Sequence, residues 1–323
     1  MITAAIVGLG RWGQRLVESV QGKSKLIRFA EAVTRTPAKA EAFAKTHGLA
    51  LGTDLAVVLK NPKIDALVIA SPNSLHAPQM LAGAKAGKHL LVDKPFTLTK
   101  KSAAEAVEAA TKAGLVIAAA HNRRFLPAYQ EMRKRLASGQ IGTPNHIETN
   151  FSGASGFSYR ADMWRAVRAE SPAGSMTAMG IHTVDGIVGL FGRIERVHAL
   201  SRRRVLDIDI DDTTSMLFEF ANGMTGYLAT VASASNWRLQ AFGGQGWIEI
   251  RDHTHLELQL RDAKREIVDF PPTDIETAEL EAFARAITKD APYPVPVEDV
   301  IHGIAVMEAV DRSAQSGKMA RVE

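Results

Sequence analysis

Along the first 120 residues, short apolar runs alternate with stretches in which apolar positions recur three and four apart. The runs at 4–7, 28–33, 66–70, 89–92 and 116–119 read as strands, and the amphipathic stretches at 37–46, 75–86 and 100–112 as helices. Gly48, Gly87 and Gly114 follow those stretches, glycine being the residue that most readily takes the turn after a helix. Alternating strand and helix predicts a parallel, doubly wound α/β sheet with right-handed crossovers.

The texture changes near residue 121. A helix is expected at 127–137, a strand at 145–151, a mobile Gly/Ser-rich loop at 152–158 and a helix at 175–190. From 196 to 270 the period is two. Strands at 213–220 and 224–231 flank Ala221-Asn222-Gly223, a hairpin signal, and further strands follow at 246–250, 256–260 and 266–268. Helices at 277–288 and 297–316 close the chain. The pattern predicts domains at 1–121 and 122–323, the second an α+β domain with a large, open, mostly antiparallel sheet, its C-terminal helix free to pack back on the first domain. Helices cover one face of such a sheet, so the other meets solvent or a partner; a homodimer or homotetramer through that sheet is expected.

Composition narrows the chemistry. The 323 residues include no cysteine, which excludes disulfide scaffolds, thiol catalysis and cysteine-ligated metal; the ten histidines show no metal-binding spacing, and no metal is expected. The N-terminus lacks a basic flank and a secretory apolar core, and no run approaches a membrane span, so a cytoplasmic protein without membrane contact is expected. The net charge of +4 is an average. Residues 1–120 carry 16 Lys and Arg against 8 Asp and Glu, whereas 121–323 carry 23 against 27. A basic first half suits an anionic partner, either a phosphorylated cofactor or nucleic acid. The basic runs Arg123-Arg124 and Arg202-Arg203-Arg204 lack interleaved aromatics, and Asp207, Asp209, Asp211 and Asp212 follow the second. Both read as solvated strand edges or intersubunit contacts rather than a nucleic-acid surface.

Gly8-Leu9-Gly10-Arg11-Trp12-Gly13 lies directly after a predicted strand and opens a helical stretch. Gly8 permits the tight turn, Gly10 lets a pyrophosphate approach the backbone, Gly13 allows close helix packing, and the helix N-terminus offers unpaired N–H groups. Beyond the second strand, where a carboxylate would favour NAD, stand Thr34 and Arg35, with Lys39 close behind. A hydroxyl followed by a guanidinium suits a 2′-phosphate, so NADP is favoured with NAD as the alternative; Arg35 as a solvated loop residue is the plainer reading. Glu31 is the competing acid, placed by alternation within the strand. Two later strands end in Ser71-Pro72-Asn73-Ser74-Leu75-His76 and Asp93-Lys94-Pro95, at the carboxyl edge where such sheets bind ligands. Lys94 there can hold a substrate oxygen and assist proton transfer, or can simply open the next helix at the surface.

These residues, together with Trp164-Arg165 and the run Gly174-Ser175-Met176-Thr177-Ala178-Met179-Gly180-Ile181-His182-Thr183-Val184-Asp185, resemble the glucose-fructose oxidoreductase, inositol dehydrogenase and rhizopine-catabolism (Gfo/Idh/MocA) oxidoreductases over nearly the whole chain. The resemblance implies an N-terminal Rossmann domain, a C-terminal domain with a large open sheet, and hydride transfer between a nicotinamide cofactor and a sugar, polyol or related small hydroxy or keto substrate. It implies that Lys94 and His182 are catalytic. Gly8, Gly10, Arg11, Trp12, Gly13, Thr34, Arg35, Lys39, Ser71, Pro72, Asn73, His76, Asp93, Lys94 and Pro95 would bind the cofactor, Asn73 and His76 at its nicotinamide end. Lys94, Asn122, Tyr159, Trp164, Arg165, His182 and Asp185 would meet the substrate. Pro95 would shape the lysine's backbone, often through a cis bond. Tyr159, Arg160 and Trp164 could close over a polyhydroxylated ligand.

Two departures stand out. Asp93 replaces the family's usual Glu, and Ala178 stands where many members carry an Asp one helical turn before the histidine. Ala178 motivates the alternative function, a nucleotide-binding member without dehydrogenase activity that serves as a regulator or partner subunit. Without the motif, His182 amid Met176, Met179 and Ile181 is an ordinary core histidine, and Asp185 is read as structural before catalytic.

Overall fold

The computed structural model describes all 323 residues. In chain order the elements are β1 (Ile2–Val7), α1 (Arg11–Val20), β2 (Ile27–Val33), α2 (Glu41–Thr46), β3 (Ala50–Gly52), α3 (Leu55–Lys60), β4 (Ala66–Ile69), α4 (His76–Lys85), β5 (His89–Asp93), α5 (Lys100–Lys112) and β6 (Ile117–Ala120). There follow α6 (Pro127–Ala137), β7 (Pro144–Ser152), α7 (Ile181–Phe191), β8 (Ile194–Arg202), β9 (Thr213–Phe220) and β10 (Thr225–Val231). The chain ends with β11 (Asn236–Gly243), β12 (Gly246–Arg251), β13 (His255–Leu260), β14 (Glu266–Asp269), α8 (Ile275–Ile287), α9 (Val297–Ser316) and β15 (Ala320–Arg321). No helix is long and apolar enough to cross a membrane.

The chain divides into two compact units, one of residues 1–122 and 274–301, the other of 123–273 and 302–323. The first unit is a six-stranded parallel sheet in the order β3-β2-β1-β4-β5-β6. The order reverses at β1 and β4, the switch point where loops part and ligands bind in doubly wound sheets. Its core joins Ile6, Val68, Leu91 and Ala118 of the strands to Leu16 and Val17 of α1. Leu280, Phe283 and Ala284 of α8 belong to the same core, so a segment from beyond residue 273 completes the cover of this sheet. Asp274 caps α8 by accepting the Thr277 N–H at 3.1 Å, and with Glu276 it receives Arg15 of α1.

The second unit is a nine-stranded sheet in the order β14-β13-β12-β11-β7-β10-β9-β8-β15. Every neighbouring pair is antiparallel except β7 and β10, which run parallel. The Asn222-Gly223 turn joins β9 to β10, with Gly223 at φ 83°.

Five elements go beyond the sequence pattern, one of them the two-residue β15. β3 and α3 are three and six residues long, too short to show a period. β8 carries a register shift between Ile194 and Arg196 that breaks its alternation. β11 mixes buried Trp237, Leu239 and Ala241 with a Gln240 that is also buried. The stretch 37–46 is a 3-10 turn, Pro37–Lys39, followed by α2 rather than one helix. The helix expected at 175–190 begins with a π turn, Met176–Gly180, before α7. The Gly/Ser-rich loop contains a 3-10 turn, Ala154–Ser158, and packs inward: a Cβ on Gly156 would come within 2.7 Å of Leu206, and Tyr159 lies against the small cluster of Leu206, Ile210 and Ala232.

Candidate functional site

In the first unit, β1 delivers Gly8 at φ 103°, a conformation open to glycine. A Cβ there would lie 2.6 Å from the Ala70 carbonyl, so the turn after β1 is packed backbone to backbone against the end of β4. Gly13 is equally constrained, since its Cβ would meet the Gly8 carbonyl oxygen at 2.0 Å. Gly10 differs: it is exposed, extended, and a Cβ on it would meet nothing within 4 Å. No side chain caps α1, and its first turn holds no acidic residue, so the N–H groups of Arg11, Trp12 and Gly13 are left for an anion. A dinucleotide's pyrophosphate fits this seat on both counts.

Thr34, Arg35 and Lys39 follow β2, with Arg35 and Lys39 exposed and Thr34 half-buried. Glu31 is turned to another task, accepting a hydrogen bond from the Asn61 amide. At the end of β4, the Ser71 hydroxyl donates to Gln79 at 2.7 Å, and Asn73 opens a 3-10 turn that runs into α4. Lys94, half-buried between Asp93 and Pro95, leaves β5 where Leu90, Leu91 and Val92 are fully enclosed; its peptide bond to Pro95 is cis.

Among the expected cofactor and substrate residues, His76 and Asn122 are buried. His76 is 0% exposed, with Nδ1 2.9 Å from the Pro95 carbonyl oxygen and Nε2 3.0 Å from that of Ser71. Each ring nitrogen thus faces a backbone carbonyl oxygen, and a ring with one N–H donates to one of the two. Asn122, expected at the substrate, is also buried, and its amide donates to Glu276 of α8 at 3.1 Å.

In the second unit, His182 lies in the first turn of α7, buried, its ring 5.5 Å from that of Phe151 at the end of β7. Phe151 in turn stands 6.4 Å from Trp237 of β11 and 5.4 Å beneath the Arg123 guanidinium. Phe151 and Trp237 were not singled out in the sequence, because they come from separate strands and share no spacing, and Arg123 was read only as part of a basic run. Ala178 sits inside the π turn that precedes α7.

Asp185 is 2% exposed and receives Arg124 in a fork, Nε to Oδ2 at 2.8 Å and Nη2 to Oδ1 at 2.7 Å. That carboxylate holds α7 to the segment after residue 122, which supports the structural reading and corrects Arg124, buried rather than on a solvated edge. In the other basic run Arg202, Arg203 and Arg204 are exposed, with Arg203 Nη1 3.9 Å from Asp209. Asp212 accepts the N–H groups of Arg204, Val205 and Leu206 at 2.7–2.9 Å, and Asp211 and Asp209 receive Arg168. Burial works against the charged form of Asp212, but those three N–H groups outweigh it and hold the carboxyl below its usual range. Trp164 and Arg165 form a 3-10 turn in which the guanidinium stacks 4.1 Å over the indole, while Tyr159 faces the Ser155 hydroxyl at 3.4 Å and Arg160 pairs with Asp162.

Residues 2–121 match the model of an oxidoreductase family with an NAD-binding Rossmann fold, named GFO/IDH/MocA, and residues 129–249 match that family's C-terminal domain. The chain belongs to this family. Among Gfo/Idh/MocA relatives, it is 28% identical over 297 residues to scyllo-inositol 2-dehydrogenase (NAD(+)) of Bacillus subtilis, covering 87% of this chain and 83% of the relative. The corresponding NADP(+) enzyme of the same organism is 27% identical over 302 residues, covering 90% and 89%. The aldose-aldose oxidoreductase of Caulobacter crescentus, 24% identical, shares the fold at a TM-score of 0.89 over 99% of each chain. For this Gfo/Idh/MocA chain the first unit is therefore an NAD(P)-binding Rossmann domain, and the enzyme class is a dehydrogenase or reductase acting on CH–OH groups.

Proposed function

We propose that the chain is an NADP(H)-preferring oxidoreductase that moves a hydride to or from a carbon of a sugar, polyol or related small hydroxy or keto compound. The preference rests on one observation: Arg35 and Lys39 stand exposed after β2, while Glu31, the acid that would compete for a ribose diol, is held by Asn61. Similarity does not decide the point, since the NAD(+) and NADP(+) inositol dehydrogenases are matched almost equally. Relatives named as inositol 2-dehydrogenases, D-xylose 1-dehydrogenase and 1,5-anhydro-D-fructose reductase support the substrate class.

The nicotinamide cofactor, when bound, supplies the hydride acceptor or donor. The chain supplies orientation and proton handling. We assign Lys94 to hold and polarise the substrate oxygen and His182 to exchange its proton; Phe151, beside His182, suits the C–H face of a sugar ring. Trp164 and Arg165 remain assigned to the substrate, whereas Asp185 and Asn122 are assigned to structure.

Fluorescence titration with NADPH and NADH tests the reading. NADPH is expected to bind more tightly, and Arg35→Ala to weaken NADPH by roughly 10- to 100-fold, the worth of a charge-assisted phosphate contact, while leaving NADH nearly unchanged. Equal loss for both cofactors would defeat the assignment. Tight NADPH binding without turnover on any polyol, aldose or ketose would favour the regulator reading that Ala178 motivates.

A further inference from the structure

His76 has no freedom to be a spectator. It is the first residue of α4, and that helix is pinned against the sheet: Met80 is fully enclosed, and a Cβ on Gly83 would come within 2.7 Å of Leu90 on β5 and 2.9 Å of Leu67 on β4. The ring therefore projects from a fixed platform. One nitrogen stays within its own loop, at Ser71; the other crosses to the next strand's exit and meets the carbonyl of Pro95, the residue after Lys94. A carbonyl oxygen only accepts, so the contact at 2.9 Å is a hydrogen bond when Nδ1 carries the proton. The segment between Ser71 and His76 contains no ionisable side chain, nor does α4 before Lys85, leaving Asp93 and Lys94 as the charged neighbours along the chain at this exit.

We propose that His76 is the positioning residue of Lys94: its Nδ1–H ties the turn after β5 to α4 and so fixes the backbone from which the lysine projects. A lysine side chain has four rotatable bonds, and its amine reaches a constant place only if its Cα is held. The tie supplies that hold from a buried, water-excluded side, with a ring that has only two torsions of its own. This inference rests on Lys94 being the group that holds the substrate oxygen in the proposed reaction, but the tie itself can be read without turnover.

The experiment compares wild-type protein with His76→Gln by competitive acetylation with acetic anhydride across pH, reading Lys94 and Lys101 by peptide mass spectrometry. Lys101, 86% exposed on α5, serves as the internal reference. In a His76→Gln protein that melts and binds NADPH like the wild type, the reactivity curve of Lys94 is expected to shift and that of Lys101 to stay. A Lys94 curve that coincides with the wild type overturns the proposal. Should the variant fail to fold, nitrogen NMR of labelled histidines in the wild type reads the same bond: a slowly exchanging Nδ1–H on His76 is expected, and a bare Nδ1 overturns it. Where turnover is measurable, His76→Gln should lower kcat roughly 10- to 100-fold, as small displacements of a reacting group do. Lys94→Ala in that assay keeps the two ideas apart. An unchanged rate there removes the catalytic reading of Lys94, while the acetylation curves still report whether His76 positions it.

Discussion

In the first unit every residue of β4 and of β6 is buried, whereas along β9 of the second unit Thr214, Met216, Phe218 and Phe220 turn inward and Ser215 and Leu217 face out. A parallel sheet joined by crossover helices must be covered on both faces, and an antiparallel one need not be. The first unit meets that demand with a helix from residues 275–287, far along the chain, because the helices linking its strands do not fill the core alone. The second unit leaves one face of its strands to polar side chains and a few exposed apolar ones, such as Leu217 at 61% exposure. The first unit therefore draws a covering helix from distant sequence, whereas the second pairs strands far apart in the chain, β7 with β11 and β8 with β15, and holds the Arg124–Asp185 ion pair in its interior.

The largest expected effect breaks that contrast most directly. Phe283 on α8 is fully enclosed in the first unit's core, so Phe283→Ala should cost about 4 kcal/mol, with the transition read by urea unfolding. Leu217→Ala, on the open face, should stay within about 0.5 kcal/mol. Comparable losses at the two positions would mean that the sheets are covered alike and the contrast is false.

A smaller effect sharpens the second half of the comparison. Asp185→Asn removes one partner of a buried fork and leaves the Arg124 charge behind, a cost of about 3 kcal/mol in thermal or urea unfolding. The low end of the usual range applies because Arg124 also donates to the Asp185 backbone carbonyl at 3.0 Å, which the substitution retains. If instead Asp185 served substrate, the variant would keep its stability and lose only turnover.

That pair also marks where sequence reading stops. Five of the six parallel strands were visible as apolar runs, the glycines announced their own turn, and six strands of the nine-stranded sheet showed as separate runs, since each of these signals is local. Arg124 and Asp185 are 61 residues apart, Asn122 and Glu276 are 154 apart, and no spacing rule links them. His76 was legible as a member of a motif but not as a tie, because the carbonyl of Pro95 that engages it is a backbone atom and carries no sequence signature. The aromatic group at His182 escaped because its members are far apart in sequence: Phe151, beside the histidine, and Trp237, beside Phe151, come from different strands brought side by side by the β7–β11 register.

The two units also treat histidine differently, and the smallest prediction follows from it. His76 faces carbonyl oxygens in a closed setting, while His255 on β13 faces carboxylates at the sheet's edge, Nδ1 at 2.7 Å from Asp269 and Nε2 at 3.1 Å from Glu257. Asp269 chiefly, and Glu257 after it, raise the His255 pKa above its ordinary value of 6.5 against the opposing effect of desolvation. Around that ring, Arg251 is its cross-strand neighbour and Arg265 shares Glu257 at 3.2 Å, so the net attraction is diluted by two cations. A folded value above the unfolded one means that the stabilisation is complete below the unfolded pKa and is lost as pH rises through the folded one. Wild type should therefore exceed His255→Gln in Tm at about pH 6 and converge with it near pH 9. The gap should correspond to at most about 1 kcal/mol, because an exposed pair is screened by water and salt. A gap that stays constant across that range would show that the ring contributes by packing rather than by charge. A gap that widens with pH would reverse the sign and place the proton preference in the unfolded chain.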